Sequence, residues 1–219
     1  MSARQRPLLL GHRGARAVKT IPENTIASFD RCLADGCDGF EFDARLTADG
    51  EAVVCHDPEF EGVEIEKASV RQLRGLARLE DVLSRYSERA FLDIELKVAG
   101  LEKKVRALLK KHPPARGYVV SSFLPDVLQA VRNSDASIPL GLICETQAEL
   151  ANWNKIGVEY VIPRWEMVNI SLLNDFRAAG KTVFVWTVNG YDKMRALARL
   201  GVDGIISDDT ELLARTFAG

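Results

Sequence analysis

The 219-residue sequence has little cysteine, no long apolar run and almost no net charge. Its apolar stretches are far shorter than the roughly 20 residues that a membrane-spanning helix needs. The opening segment, MSARQRPLLLGHRG, leaves no room for the apolar part of a secretory signal. We therefore expect a cytoplasmic protein without integral membrane association.

The few cysteines and the balanced charge exclude further classes of protein. Cys32, Cys37, Cys55 and Cys144 lie in or beside apolar stretches without metal-finger spacing, which predicts buried, reduced thiols. The formal net charge is -2 and the basic residues are scattered, so the sequence predicts no nucleic-acid partner. A small-molecule substrate is the partner class that remains, and the oligomeric state stays open.

The sequence does contain a regular alternation of short apolar runs and amphipathic segments. With 47% hydrophobic residues it can bury one sizeable core, so we expect a single domain over residues 1–219. Stretches such as LEKKVRALLKKH and PDVLQAVRNS have the apolar spacing of helices, and Gly157, Gly180 and Gly201 are placed like helix C-terminal caps. The eight candidate strands are Pro7 to Gly11, Asp38 to Asp43, Phe91 to Lys97, Tyr118 to Ser121, Pro139 to Ile143, Glu159 to Pro163, Thr182 to Val188 and Gly204 to Ser207.

Eight strand–helix units of this length favour a closed parallel (β/α)8 barrel, the TIM barrel. An open doubly wound sheet is the alternative that the same alternation supports. No G-x-G-x-x-G motif follows the first strand, so the dinucleotide-binding signature of the open sheet is missing.

One stretch, GFEFDARLTADGEAVVCHD, has no room for a helix between its two apolar arms. Asp49-Gly50 is a strong turn signal, so the second arm is predicted to return antiparallel as a β-hairpin after the second strand. With the turn centred between Asp49 and Gly50, Asp43 is expected to lie opposite His56.

The ends of three predicted strands carry polar side chains that a barrel would gather at one rim. His12 and Arg13 follow the first strand, and two further pairs end the second and third strands. Because side chains two apart on a strand share a face, each of these pairs faces one way. These pairs are Glu41 with Asp43 and Glu95 with Lys97.

Three carboxylates at one partly desolvated mouth must take up protons or bind a cation, because like charges raise each other's pKa. An all-oxygen ligand set favours one divalent ion, Mg²⁺ or Ca²⁺, over Zn²⁺. With such an ion bound, Arg13 and Lys97 make the site positive, which suits a phosphodiester anion. His12 and His56, two of three histidines, are predicted at the same rim.

The ordered motifs resemble those of the glycerophosphodiester phosphodiesterases, a branch of the phospholipase-C-like barrel superfamily. They span nearly the whole chain in the order of that family. The matching segments are HRG (12–14), PENT (22–25), EFD (41–43), LTADG (46–50), VVCHD (53–57), ELK (95–97), SSF (121–123), WTVN (186–189) and GVDGIISD (201–208).

The resemblance implies a hydrolase that cleaves glycerophosphodiesters to sn-glycerol 3-phosphate and an alcohol. By position, Glu41, Asp43 and Glu95 match the metal ligands, His12 and His56 the acid–base pair, and Arg13 and Lys97 the phosphate contacts. We assign His12 as base and His56 as acid by this resemblance alone. The nucleophile, water or the 2-hydroxyl of the substrate's glycerol, stays open.

Two further positions in matched motifs each have two interpretations. Trp186 matches the family's apolar wall for the glycerol carbons, and a core indole is the alternative. Glu23 lies close to the rim, but Asn24-Thr25 is typical of a helix N-cap, so a structural role is expected for Glu23.

The segment from Pro58 to Tyr86 departs from the family pattern and is short, which predicts an open mouth and leaves the headgroup preference undecided. Rival hypotheses are a lysophospholipase D or a cyclizing lyase on the same barrel, and a barrel without catalysis that binds a phosphorylated ligand.

Overall fold

Eight strands run parallel around a closed ring in the computed structural model, which describes residues 6–218. Met1–Gln5, the start of the segment in which no signal is predicted, and Gly219 lie outside the described residues. The ring strands are β1 (Leu8–His12), β2 (Gly39–Leu46), β6 (Phe91–Leu96), β7 (Tyr118–Ser122), β8 (Leu140–Cys144), β9 (Tyr160–Pro163), β10 (Thr182–Val185) and β11 (Gly204–Ser207). Outside the ring, β3 (Ala52–Val54) pairs with β2, and β4 (Glu59–Phe60) pairs with β5 (Val63–Glu64).

The ring closes because β1 pairs in parallel with two strands that are far apart in sequence. Leu8 lies in register with Gly204 of β11, and Leu10 lies in register with Gly39 of β2. From β2 the ring continues through β6, β7, β8, β9 and β10 to β11. The prediction of a (β/α)8 barrel is confirmed, and the open-sheet alternative is wrong.

Helices connect most successive barrel strands and cover the outside of the ring. They are α1 (Ile26–Ala34), α2 (Leu79–Tyr86), α3 (Glu102–Lys111), α4 (Pro125–Ser134), α5 (Gln147–Leu150), α6 (Ile170–Ala178), α7 (Tyr191–Leu200) and α8 (Thr210–Phe217), with 3₁₀ turns at Ile65–Lys67, Trp153–Lys155 and Trp165–Met167. None of the helices in the described part of the chain combines the length and apolar composition that a bilayer crossing requires.

Helix ends follow the predicted capping signals at all but one position. The Thr25 side chain accepts a hydrogen bond from Ser28 N at 3.2 Å and caps α1. Gly201 ends α7 in the left-handed conformation, φ 84°, and Gly180 follows α6 at φ 68°. The prediction that Gly157 caps a helix is wrong, because the preceding α-helix ends at Leu150 and only a 3₁₀ turn follows it.

The predicted hairpin arm is present, but its register differs by one residue from the expectation. Ala44 pairs with Val54, and Cys55 N donates to Asp43 O at 3.0 Å, so Cys55 lies opposite Asp43 instead of His56. The turn has three residues rather than two, and Gly50 is left-handed at φ 79°. A three-residue turn of this kind ends in a left-handed glycine that shifts the pairing.

Apolar side chains form two layers, one inside the ring of strands and one between the strands and the helices. Inside the ring, Phe91, Tyr160 and Phe184 pack ring against ring, with centroids 5.1–6.5 Å apart. Phe91 and Tyr160 begin their strands, so these rings fill the amino-terminal end of the barrel. The larger layer lies between sheet and helices, where Phe29 stacks on Phe40 at 4.2 Å. The carboxyl-terminal end is left for polar side chains.

The four cysteines carry free thiols. Cys32, Cys37 and Cys144 are buried as predicted. The prediction of burial was wrong for Cys55, which is half-buried because it follows the hairpin arm β3 at the open end of the barrel.

Candidate active site

Three carboxyl groups from neighbouring strands meet at the open end of the barrel. Glu41 and Asp43 share one face of β2, and Asp43 lies in register with Glu95 of β6. One oxygen from each side chain lies within 4.8 Å of the others. All three residues are buried, and Asp43 has no exposed surface at all. The predicted meeting of three carboxylates at one mouth is therefore confirmed.

Hydrogen bonds and ion pairs occupy only part of this carboxylate cluster. Arg13 N donates to Glu41 Oε2 at 3.0 Å, and Asn24 Nδ2 donates to Asp43 Oδ2 at 2.8 Å. Lys97 Nζ lies 2.6 Å from Glu95 Oε1. Among the described residues, Glu41 Oε1 and Asp43 Oδ1 are buried acceptors without a hydrogen-bond partner. Such orphaned oxygens are costly unless another group binds them.

The pKa values of the three carboxyl groups are shifted in different directions by burial, by the neighbouring carboxylates and by the neighbouring cations. Burial raises the pKa of Glu41 well above its ordinary value, and the charges of Asp43 and Glu95 raise it further. Burial, with the Asp43 charge, raises the pKa of Glu95 to about 7. Burial would also raise the pKa of Asp43, but Lys97 and Arg13 outweigh it and hold that pKa below its usual range.

These residues fit a hard divalent cation. Three carboxylate oxygens within 4.8 Å of one another suit an ion that is bound through oxygen, such as Mg²⁺ or Ca²⁺. Within the described part of the chain, Glu41 Oε1 accepts no hydrogen bond, and Asp43 Oδ1 has only the Lys97 ammonium 3.4 Å away, so both oxygens can coordinate a cation. The cluster could therefore hold a divalent metal ion.

His12 ends β1 beside this cluster and is oriented by a residue from the far end of the chain. Its Nδ1 lies 2.7 Å from Asp208 Oδ1, and its Nε2 lies 3.9 Å from Glu41 Oε2. Burial opposes ionisation of Asp208, but hydrogen bonds from His12 and Asn189 keep its pKa below the usual range. An ionised Asp208 fixes the proton on Nδ1 and leaves Nε2 to face the cluster.

His56 follows the hairpin arm and reaches the same cavity in spite of the shifted register. Its Nδ1 lies 2.7 Å from Asp57 Oδ1, and Arg45 donates two hydrogen bonds to its backbone carbonyl, at 2.6 and 2.9 Å. Burial lowers the pKa of His56, and the hydrogen bond with Asp57 opposes this shift. The imidazole is half-buried and lines the same cavity as His12.

Arg13 sits at the tightest bend of the site. Its backbone is left-handed, φ 53°, and its guanidinium contacts Glu23 Oε1 at 2.7 Å and Asp43 Oδ2 at 3.3 Å. A Cβ on Gly11 would approach Gly14 O to 2.5 Å, so only glycine fits before the bend. Glu23 also accepts from Arg16 Nε at 2.6 Å, so its carboxylate bridges two arginines.

A cavity of about 370 Å³ brings all the predicted residues except the fully buried Asp43 together with an apolar wall. Trp186 lies half-buried in this wall, and its Nε1 donates to Ile162 O at 2.9 Å. Its ring packs edge-on against Phe123 with centroids 5.5 Å apart. The cavity is lined by His12, Arg13, Glu41, His56, Asp93, Glu95, Lys97, Phe123, Ile143, Glu145, Trp186 and Ile206.

Comparison with known proteins identifies the family of the chain. The model of the glycerophosphoryl diester phosphodiesterase family matches residues 12–82 and 81–212. The chain belongs to this family. It is 29% identical to a glycerophosphodiester phosphodiesterase of Caldanaerobacter subterraneus, with 94% of this chain and 96% of that protein covered.

Solved structures show the same fold. A glycerophosphodiester phosphodiesterase of Thermotoga maritima has a TM-score of 0.84 at 26% identity, with 97% of this chain and 99% of that chain covered. A phosphodiesterase of Oleispira antarctica, in complex with the product sn-glycerol-3-phosphate, has a TM-score of 0.84 at 23% identity, with 96% of both chains covered.

Several residues of the cavity and its surroundings are not among the predicted ones, including Ile143, Glu145 and Ile206 of the lining. Asp208 and Phe123 stand inside matched motifs, so position next to a strand end could have indicated them. The Asn24-Thr25 sequence indicates a helix cap, but the left-handed backbone of Asn24, φ 58°, turns its amide toward Asp43. Asp93 shares the face of Glu95 on β6, and the spacing of two residues was the available signal.

Proposed function

We propose that the protein is a metal-dependent glycerophosphodiester phosphodiesterase that releases sn-glycerol 3-phosphate and an alcohol. The observation that carries this proposal is the cluster of three buried carboxyl groups within 4.8 Å of one another. Two of its members, Glu41 and Glu95, line one cavity with two histidines, an arginine and a lysine. Membership of the family and the similarity to the Caldanaerobacter enzyme support the substrate class. We further propose that residues 1–219 act as a single domain.

Glu41, Asp43 and Glu95 are the proposed ligands of one divalent ion, Mg²⁺ or Ca²⁺. When bound, this ion supplies Lewis-acid stabilisation of charge on the phosphoryl oxygens. Arg13 and Lys97 bind the phosphate through charge-assisted hydrogen bonds. The Arg13 guanidinium lies 3.3 Å from Asp43 Oδ2, and Lys97 Nζ lies 2.6 Å from Glu95 Oε1, so both cations lie beside the carboxylate cluster.

The two histidines are the proposed proton-transfer groups. His12, with Nδ1 held by Asp208, keeps Nε2 free to accept a proton from the nucleophile. His56, whose pKa is lowered by burial, becomes a better proton carrier when an anionic phosphodiester lies beside it, and it protonates the leaving alkoxide. Trp186 forms the proposed apolar wall against the glycerol carbons.

The test is release of glycerol 3-phosphate from glycerophosphocholine after chelation, with and without added Mg²⁺ or Ca²⁺. We expect activity to require the ion, and His12→Ala and Glu95→Ala each to lower kcat/KM by at least about 10²-fold. Glu51→Ala is the matched control, because Glu51 pairs with Lys104 outside the cavity. An unchanged rate after chelation would contradict the proposed metal dependence. An unchanged rate in either variant would contradict the role proposed for the substituted residue.

Two further measurements separate the rival activities. Turnover of a lysophospholipid but not of glycerophosphocholine would favour a lysophospholipase D. Accumulation of a cyclic glycerophosphate, followed by ³¹P NMR, would identify the 2-hydroxyl as the nucleophile. No turnover of either substrate, with binding retained, would leave a barrel that only binds phosphorylated ligands.

A further inference from the structure

Asp93 is a buried carboxyl group to which the proposed mechanism assigns no task. It lies in the middle of β6, is 1% exposed, and is in register with Glu41 of β2. Its side chain lines the cavity of about 370 Å³ on the same strand face as Glu95 and Lys97. Since strands rise about 3.3 Å per residue, Asp93 lies about 6 to 7 Å deeper in the barrel than Glu95.

The surroundings of Asp93 leave one of its two oxygens for a ligand. Ser121 Oγ, buried on β7, donates to Asp93 Oδ1 at 2.5 Å. Within residues 6–218, Ser121 is the one side chain that donates a hydrogen bond to this carboxyl group. Ile143 and Ile206, which line the same cavity, offer no donor. A carboxyl group in such surroundings is costly unless a donor satisfies both oxygens.

Asp93 is not placed to bind the proposed metal ion. The oxygens that lie within 4.8 Å of one another come from Glu41, Asp43 and Glu95, and Asp93 is not among them. It is also not placed to bind phosphate, because a carboxylate repels an anion and Arg13 and Lys97 lie nearer the mouth. The ligand group that fits an acceptor at this depth is an uncharged O–H donor.

On the basis of the proposed function, we propose that Asp93 is a substrate-contact residue that accepts a hydrogen bond from the terminal hydroxyl of the glycerol moiety. With the phosphate held at the level of Glu95 and Lys97, the glycerol extends down past Trp186 toward the cavity floor. There Asp93 distinguishes a polyol phosphodiester from one with an alkyl group at the same position, because the alkyl group would leave the buried carboxyl group unsatisfied.

The test compares two substrates on the metal-loaded enzyme: glycerophosphocholine, and its analogue in which propane-1,2-diol replaces glycerol. The analogue keeps the 2-hydroxyl and lacks only the terminal one. We expect the wild type to favour the glycerol substrate by about 30-fold or more in kcat/KM. In Asp93→Leu this ratio should fall to within about threefold of one, because the variant no longer has an acceptor to satisfy.

Two more variants guard against a merely structural effect. Ser121→Ala removes the donor that orients Asp93 and should lower the ratio in part. Ile94→Val is the matched control, because Ile94 packs in the layer between sheet and helices, and it should leave the ratio unchanged.

Several outcomes would overturn the inference. A wild-type ratio near one, or an undiminished ratio in Asp93→Leu, would remove Asp93 as a contact. If Asp93→Leu does not fold, the wild-type ratio and Ser121→Ala decide. Equal turnover of the two substrates by the wild type would contradict this inference alone. No turnover of glycerophosphocholine by the wild type would contradict both the proposed function and this inference.

Discussion

The cavity has two unlike halves, and they come from different parts of the chain. The polar half is built by β1, β2, the hairpin and β6, and it carries both histidines and every charged residue of the lining except Glu145, which follows β8. The apolar half is formed chiefly by four residues from later strands and their loops, Phe123, Ile143, Trp186 and Ile206. The polar half holds closely spaced ionisable groups whose pKa values are shifted by their neighbours, whereas the apolar half forms a wall that a substrate can pack against.

The division suggests that chemistry and substrate fit can be altered separately. Substitutions in the polar half should change kcat, proton uptake and metal affinity, because those residues interact with developing charge. Substitutions in the apolar half should change KM, because their contacts are similar in ground state and transition state.

The largest expected effect in this comparison is that of Asp208→Asn. Loss of the carboxylate removes the group that holds the His12 proton on Nδ1, so kcat should fall roughly 10²-fold with little change in KM. Steady-state kinetics on glycerophosphocholine measure it. Asp209→Asn is the control, since Asp209 caps α8 and asparagine caps equally well. Equal kinetics for the two variants would contradict the assigned role of Asp208.

The next effect is the pH dependence of metal affinity. Glu95, with a pKa of about 7 in the metal-free protein, carries a proton at pH 6 that an ion must displace. Affinity for Mg²⁺ or Ca²⁺ should therefore fall by at least about tenfold per pH unit below 7, because Glu41, whose pKa is also raised, must lose its proton as well. Titration calorimetry at pH 6 and pH 8 measures the change. An affinity that is constant between these values would show that Glu95 is not a ligand.

In the apolar half, Trp186→Ala should raise KM by about tenfold with kcat almost unchanged, because the ring is expected to cover glycerol carbons in ground state and transition state alike. Trp165→Ala is the matched control, since Trp165 does not line the cavity and packs against Lys193. A fall in kcat without a change in KM would place Trp186 with the polar half instead.

The smallest effect concerns stability in the absence of metal. Because the folded-state pKa of Glu41 is raised, its ionisation disfavours folding once the pH exceeds the unfolded-state value. Glu41→Gln should therefore raise the free energy of unfolding by on the order of 1 kcal/mol at pH 8, and by less at pH 5. Urea denaturation of the chelated proteins measures both values. A destabilised variant at pH 8 would contradict the charge argument.

The polar half was more predictable from the sequence than the apolar half. Glu41 with Asp43, and Glu95 with Lys97, are two apart on strands, and period-two alternation alone puts each pair on one face. Asp208 escaped prediction because its partner His12 is 196 residues away, and only closure of the ring brings them together.

Other features depend on details that composition and periodicity do not contain. The hairpin register was missed by one residue because Asp49-Gly50 allows both a two-residue and a three-residue turn. The motif around Trp186 does not decide between a cavity wall and a core indole. Its half-buried position against Phe123 depends on how β7 and β10 face one another across the barrel.

Because β1 pairs with both β2 and β11, the proposed metal site and the proposed base need different lengths of chain to form. All three carboxylates of the cluster lie within the first 95 residues of the chain, on β2 and β6, which pair with each other directly. The partner of His12 arrives only with residue 208. A chain still being synthesised could thus gather its cation-binding groups early, yet it would have no oriented base until the last strand joined the first.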